Sequence, residues 1–193
     1  RWSMLSGLSK RLFSNFSACC TQNSDSAFFY EKLGIKNTIN TGNLKFAYKP
    51  DEIISDELKK LRSLTKKRKI FLAASTHPGE EEIIKNITLN LKKTVKDLLT
   101  IIVPHGGQNP IEAAYLGKKI YHGKNIDNFI DVYDVLNQLK FTQQVENERQ
   151  LEHYVKEALA NPKSINKEIN INRLKKEGDD TVSKVLKVIY QYL

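Results

Sequence analysis

The chain has 193 residues, 40% hydrophobic and 27% charged, an ordinary globular composition with length for one large domain or two small ones. Its 31 Lys and Arg against 22 Asp and Glu leave a net charge of +9, which favours an anionic partner: nucleic acid, a membrane surface or a phosphorylated substrate. No apolar run approaches the ~18 residues that span a bilayer, and neither zinc-finger spacing nor an RNP-type aromatic motif argues for nucleic acid.

The N-terminal stretch lacks the continuous apolar segment of a signal peptide, so none is expected. Trp2, Leu5, Leu8, Leu12 and Phe16 recur at helical spacing, with Arg1, Lys10 and Arg11 off that stripe. A short strand, ACCTQ, follows. It carries the two cysteines, Cys19 and Cys20, expected to be a buried, inert pair in a reducing compartment, because neighbours rarely bridge each other. Ser24 opens a helix that ends at Gly34, and TINTGNLKF reads as a strand running into a loop. Pro50 and KPDEIISDE mark a boundary. A helix over 54–64 leads through the basic cluster Lys66–Lys69, which reads as a solvated charge run, into KIFLAAS. That continuous apolar run is expected to be a strand buried on both faces.

The next helix places Ile83, Ile84, Ile87 and Leu91 on one side, with Glu80, Glu81 and Glu82 in its first turn, where the helix dipole favours them. LLTIIV is another buried strand. Asn109, Pro110 and Glu112 then spell a helix start: an N-cap, a proline at the first helical position and an acid three residues past the cap. Gly117 stops that helix. A strand at 119–122, a helix near 126–139, the strand FTQQV and helices near 147–160 and 179–192 complete the chain. Alternating strands and helices predict an α/β fold, a Rossmann-like parallel sheet with helices on both faces.

In such sheets the ligand crevice lies at the carboxyl ends of the strands. Two loops occupy those positions: STHPGEEE at 75–82 and HGGQNPIE at 105–112. Gly106 and Gly107 let a ligand approach the backbone, and a glycine turn feeding a helix start suits an anion. The same residues read equally well as a well-made strand–turn–helix. No G-x-S-x-G context surrounds Ser24 or Ser75, so a hydrolase elbow is not indicated.

Four blocks, in order, resemble the bacterial 3-deoxy-D-manno-octulosonic acid (Kdo) transferases: TQNSDSAFFYEKLGIKNTINTGNLKF, LAASTHPGEEE, HGGQNPIEAAYLGKKIYHG with Asn128 and Phe129, and a tail ending VIYQYL. The resemblance implies a GT-B glycosyltransferase, here mainly its C-terminal lobe, with residues 1–48 closing the N-terminal acceptor-side lobe, 49–178 an incomplete nucleotide-sugar-binding lobe and 179–193 a C-terminal helix. It implies transfer of Kdo from CMP-Kdo to a lipid A precursor in lipopolysaccharide biosynthesis, with inversion, at the cytoplasmic face of the bacterial inner membrane. It also implies no metal and no further cofactor, and no nucleic acid as partner. Donor binding would fall to Ser75, Thr76, His77, His105, Gly106, Gly107, Asn109 and Glu112, with Asn43 and Lys45 near the join of the lobes. The family's general-base glutamate and a segment that normally follows Pro104 have no counterpart here, so the catalytic base is unassigned and this stretch alone is expected to turn over little substrate. A GT-B enzyme with a UDP donor and a non-enzymatic nucleotide-binding remnant are the alternatives.

Overall fold

The computed structural model describes residues 6–49, 55–104, 109–126, 129–161 and 167–193. They form an α/β structure of two compact units, Arg1–Lys49 with Glu168–Leu193, and Pro50–Lys167. Among the described residues every strand pairing is parallel: β1 (Cys19–Thr21) with β2 (Thr38–Asn40), β3 (Lys69–Thr76) with β4 (Leu98–Pro104), and β5 (Ile120–His122) with β6 (Thr142–Gln144). These are three two-stranded pairs, where the sequence predicts one continuous sheet.

In the first unit, α1 (Ser6–Phe13) and α2 (Ser24–Lys32) flank β1 in the chain. Asn23 caps α2, its side chain accepting from the Ser26 N–H at 2.7 Å. A 3-10 turn over Leu44–Ala47 follows β2 and buries Phe46. The last helix, α8, runs from Lys167 to Tyr190, beginning twelve residues before the start read from sequence. Its buried positions Leu174, Gly178, Thr181 and Val188, spaced by four, three and seven residues, lie on one side of the helix and form one inward stripe. Residues 168–178, assigned by sequence to the second lobe, thus belong to a helix of the first unit.

Leu8 and Leu12 lie on α1 and are exposed, as is Phe16 just beyond its end, while Ser9 is fully buried. Trp2 and Leu5 lie outside the described residues. Cys19 is half-buried and Cys20 exposed, which corrects the expectation of a buried pair: successive strand residues point to opposite faces, so two neighbours are seldom buried together. Burial pushes the Cys19 thiol up, and the adjacent Cys20 adds to that.

The second unit opens with α3 (Asp56–Thr65), capped by Ser55, and is centred on β3, β4, α4 (Glu80–Lys92) and α7 (Glu148–Ala160). Ile87 and Leu91 of α4, Leu98 of β4 and Val155 of α7 form its buried cluster, with Phe71, Val95, Tyr121, Leu151 and Leu159 packed around it. Ile84, Ile87 and Leu91 are buried as the periodicity predicts, but Ile83 is 39% exposed, at the margin of the stripe. The run KIFLAAS is covered on one face only: Ala73 is buried and Phe71 joins the cluster, while Ile70 and Leu72, on the opposite face, are exposed. Farther along, α5 (Pro110–Tyr115) and α6 (Ile130–Gln138) bury Ile111, Ala114, Val132 and Leu136.

Candidate functional site

The β3–β4 pair sets the geometry. The strands run in register from Lys69 opposite Leu98 to Ala74 opposite Val103, and then Thr76 stands opposite Pro104. Ser75 is therefore the extra residue of a β-bulge. Its φ of 57° is left-handed, a conformation that costs a residue with a Cβ about 1–2 kcal/mol. Bulges of this kind re-aim side chains at strand ends. Because the strands are parallel and end together, the loops after Thr76 and after Pro104 leave from the same end of the pair.

The first loop is tightly built. The Glu80 N–H donates to the His77 carbonyl at 2.9 Å across Pro78 and Gly79. Gly79 sits at φ 96°, ψ −24°, so this is a type II turn, with proline and glycine in their preferred places. The Glu80 carboxylate accepts from the His77 N–H at 2.9 Å. Thr76 is 5% exposed, and its hydroxyl donates to Glu81 Oε1 at 2.7 Å. A side chain that buried is held in place by Glu81 and positions the bulge rather than facing a solvent-borne ligand. No signal in the sequence singled out Glu81 from its two acidic neighbours; only the packing of the turn selects it.

That hydrogen bond, and the backbone N–H groups of Glu81 and Gly79, hold the Glu81 carboxyl below the usual carboxylate range, with the charge of His77 adding a little. A carboxyl whose folded pKa is depressed contributes stability that is present above its unfolded value, about 4.3, and is lost as pH falls through the lower folded value. Thr76→Val is therefore expected to raise the Glu81 titration midpoint toward 4.3 (roughly the unperturbed value). Carboxyl carbon NMR against pH measures it, and an unchanged midpoint would mean that Thr76 does not hold this carboxylate.

The second loop enters α5. Asn109 caps it as expected, its side chain accepting from the Ile111 N–H at 3.1 Å, with Pro110 in the first turn and Glu112 half-buried beside it. His105, Gly106, Gly107 and Asn128 lie outside the described residues. Asn43 and Lys45 belong to the first unit. Asn43 is buried, caps the 3-10 turn through the Lys45 N–H at 3.0 Å and donates to Gln22 Oε1 at 3.4 Å; the Lys45 side chain is exposed. The structure thus brings Ser75, Thr76 and His77 to the strand end from which the Asn109 loop departs, and it keeps Asn43 in a structural cap of the other unit. Among the described residues no group of three or more His, Cys, Asp and Glu side chains is placed to hold a metal ion.

Parallel strands that end together, with a capped helix after one of them, are an α/β arrangement, and open α/β sheets bind ligands at the carboxyl ends of their strands. Within that class the chain is similar to 3-deoxy-D-manno-octulosonic acid transferases. It is 40% identical to that of Rickettsia bellii over 103 residues, 53% of this chain and 25% of the relative. It is 38% identical to that of Rickettsia felis over 48% of this chain and 20% of the relative, and 35% identical to that of Haemophilus influenzae over 48% and 22%. The chain spans about a quarter of the length of the curated relatives it matches. No protein-family model matches it.

Proposed function

We propose that this chain is part of a GT-B glycosyltransferase that moves Kdo from CMP-Kdo to a lipid A precursor at the cytoplasmic face of the inner membrane. The observation that carries this reading is the similarity to transferases of that name in organisms as different as Rickettsia and Haemophilus. In the proposed step an acceptor hydroxyl attacks the anomeric carbon of Kdo. The bond from that carbon to the phosphate oxygen breaks, CMP leaves with the electron pair, and the hydroxyl proton passes to a base outside the residues assigned here. Leaving-group charge is best met by preorganised donors. In this reading Ser75 and His77 supply donors from the bulged loop, while Thr76 holds that loop through Glu81. Gly106, Gly107 and the Asn109 turn approach the phosphate, His105 donates to the donor sugar, and Glu112 accepts from ribose hydroxyls. These residues supply the proposed stabilisation without a metal or further cofactor.

Titration calorimetry with CMP and UDP tests the donor. CMP is expected to bind at least tenfold tighter than UDP, and His77→Ala to weaken CMP about tenfold, roughly 1.4 kcal/mol. A preference for UDP would replace the donor, and binding of neither nucleotide by folded protein would reject the reading.

The acceptor is a lipid, yet no described helix is long and apolar enough to cross a membrane. Contact at the surface by α1 meets that requirement. Leu8 and Leu12 are 54% and 49% exposed, with Lys10 and Arg11 on the same helix, and Phe16, just past its end, is 57% exposed. Apolar burial and attraction to anionic lipid together bind such a helix at the interface. Salt-sensitive sedimentation with anionic vesicles is expected, weakened by Trp2→Ala and by Lys10→Glu with Arg11→Glu. Unchanged sedimentation in both variants would exclude α1 as a lipid contact.

A further inference from the structure

A second surface, in the other unit, has the same chemistry in stronger form. Helix α3 begins with Asp56 and Glu57 and then carries no acid. Between Lys59 and Lys69 stand seven basic residues: Lys59, Lys60, Arg62, Lys66, Lys67, Arg68 and Lys69. Such a run ordinarily belongs to a solvated helix with a polar surface all round, or to one whose leucines face a core. Here neither holds. No residue of α3 is buried; Leu58 is half-buried, and Leu61 and Leu64 are 52% and 68% exposed. At about 100° per residue, Leu58, Leu61 and Leu64 share one side of the helix, with Lys59, Lys60 and Arg62 toward the other; Lys66 and Lys67 follow its last turn, Arg68 donates to the Leu98 carbonyl at 3.3 Å and Lys69 begins β3. Of these cations Lys59 is paired, with Asp56 at 2.8 Å, on the open surface.

We propose that α3, together with the basic turn that follows it, binds the anionic surface of a lipid bilayer, with the leucines of the helix toward the acyl boundary and the cations toward the headgroups. Charge decides the occupant. A second copy of a chain of net charge +9 would bring two such basic runs together, whereas an anionic bilayer offers opposite charge and an apolar layer beneath it. A nucleic acid offers the charge but gives two exposed leucines nothing to enter. The inference shares with the proposed function only the membrane as partner, and stands or falls separately from the Kdo chemistry and from α1.

The test places a reporter on the helix itself. In the full chain with Trp2→Phe, Leu64→Trp leaves one tryptophan, at an exposed position where the change does not disturb a core. Its emission is expected to shift to the blue on vesicles of phosphatidylcholine with about one third phosphatidylglycerol, to stay unshifted on phosphatidylcholine alone, and to return in high salt. Adding Lys60→Glu and Arg62→Glu should weaken binding by roughly fivefold or more for each charge removed, and Leu61→Ser should reduce the shift. Vesicle sedimentation without a shift at position 64 would assign lipid binding elsewhere, α1 included, and overturn the proposal. So would a concentration-dependent shift without vesicles, which means self-association, or preferential retention on a short single-stranded RNA, which means a nucleic-acid surface.

Discussion

Gly178→Ala is expected to destabilise the first unit by about 3 kcal/mol, although the same change within a helix ordinarily stabilises. Gly178 is buried inside α8, and a Cβ there would lie within the envelope of the Phe46 carbonyl oxygen, 2.8 Å from the carbonyl carbon and 3.2 Å from Ala47 Cα. All three are backbone atoms, which cannot rotate aside as a side chain does. Relief requires α8 to move off the 3-10 turn, and that movement would uncover Phe46, Leu174 and Thr181, all at most 4% exposed. Gly7→Ala in α1 is the control, because nothing among the described residues lies within 4 Å of the Cβ it would add. It is expected to gain a few tenths of a kcal/mol from the reduced freedom of the unfolded chain. Urea unfolding followed by circular dichroism separates the two. A stabilised Gly178→Ala would mean that α8 does not pack backbone to backbone on residues 46 and 47.

Leu98→Ala should cost the second unit about 3 kcal/mol. Leu98 is fully buried at the start of β4, within a cluster made by Ile87 and Leu91 from α4 and Val155 from α7. The residues named around it come from two helices, α4 and α7, that are far apart in the chain, so they cannot close on the space left by the missing carbons without shifting a helix. Leu72→Ala, on the exposed face of β3, removes the same atoms from a 57% exposed position and is expected to change stability by less than about 0.5 kcal/mol. Equal losses at the two positions would show that β3 is covered on both faces in solution. Because β3 and β4 end at the bulge, the Leu98 variant should also weaken nucleotide binding in proportion to the fraction unfolded, whereas the His77 variant should weaken it with stability intact.

Much of the local structure was legible in the sequence. Asn109 with Pro110 marks a helix start that the structure confirms, because a cap is decided by side chains within three residues of the N–H groups they satisfy. The spacing of Ile84, Ile87 and Leu91 gave the buried side of α4 for the same reason: an amphipathic period is a property of neighbours along one helix. In the loop at 75–82, the Pro78–Gly79 pair takes the type II geometry those residues favour.

What the sequence by itself determined, then, is the order and kind of the elements, their capped ends and the ordered motifs that carry the likeness to Kdo transferases. The tertiary structure alone decided three things. It carried α8 through Gly178, where sequence reading had begun the last helix just afterwards, because a glycine inside a polar stretch looks like a stop until the Phe46 backbone is seen pressed against it. It put Ser75 in the bulge and selected Glu81 to hold Thr76, because register between β3 and β4 depends on residues about thirty positions apart. And it left the leucines of α3 and one face of β3 exposed, which hydrophobic periodicity cannot foresee: a pattern shows that a face is apolar, while what covers it depends on which distant segments reach it.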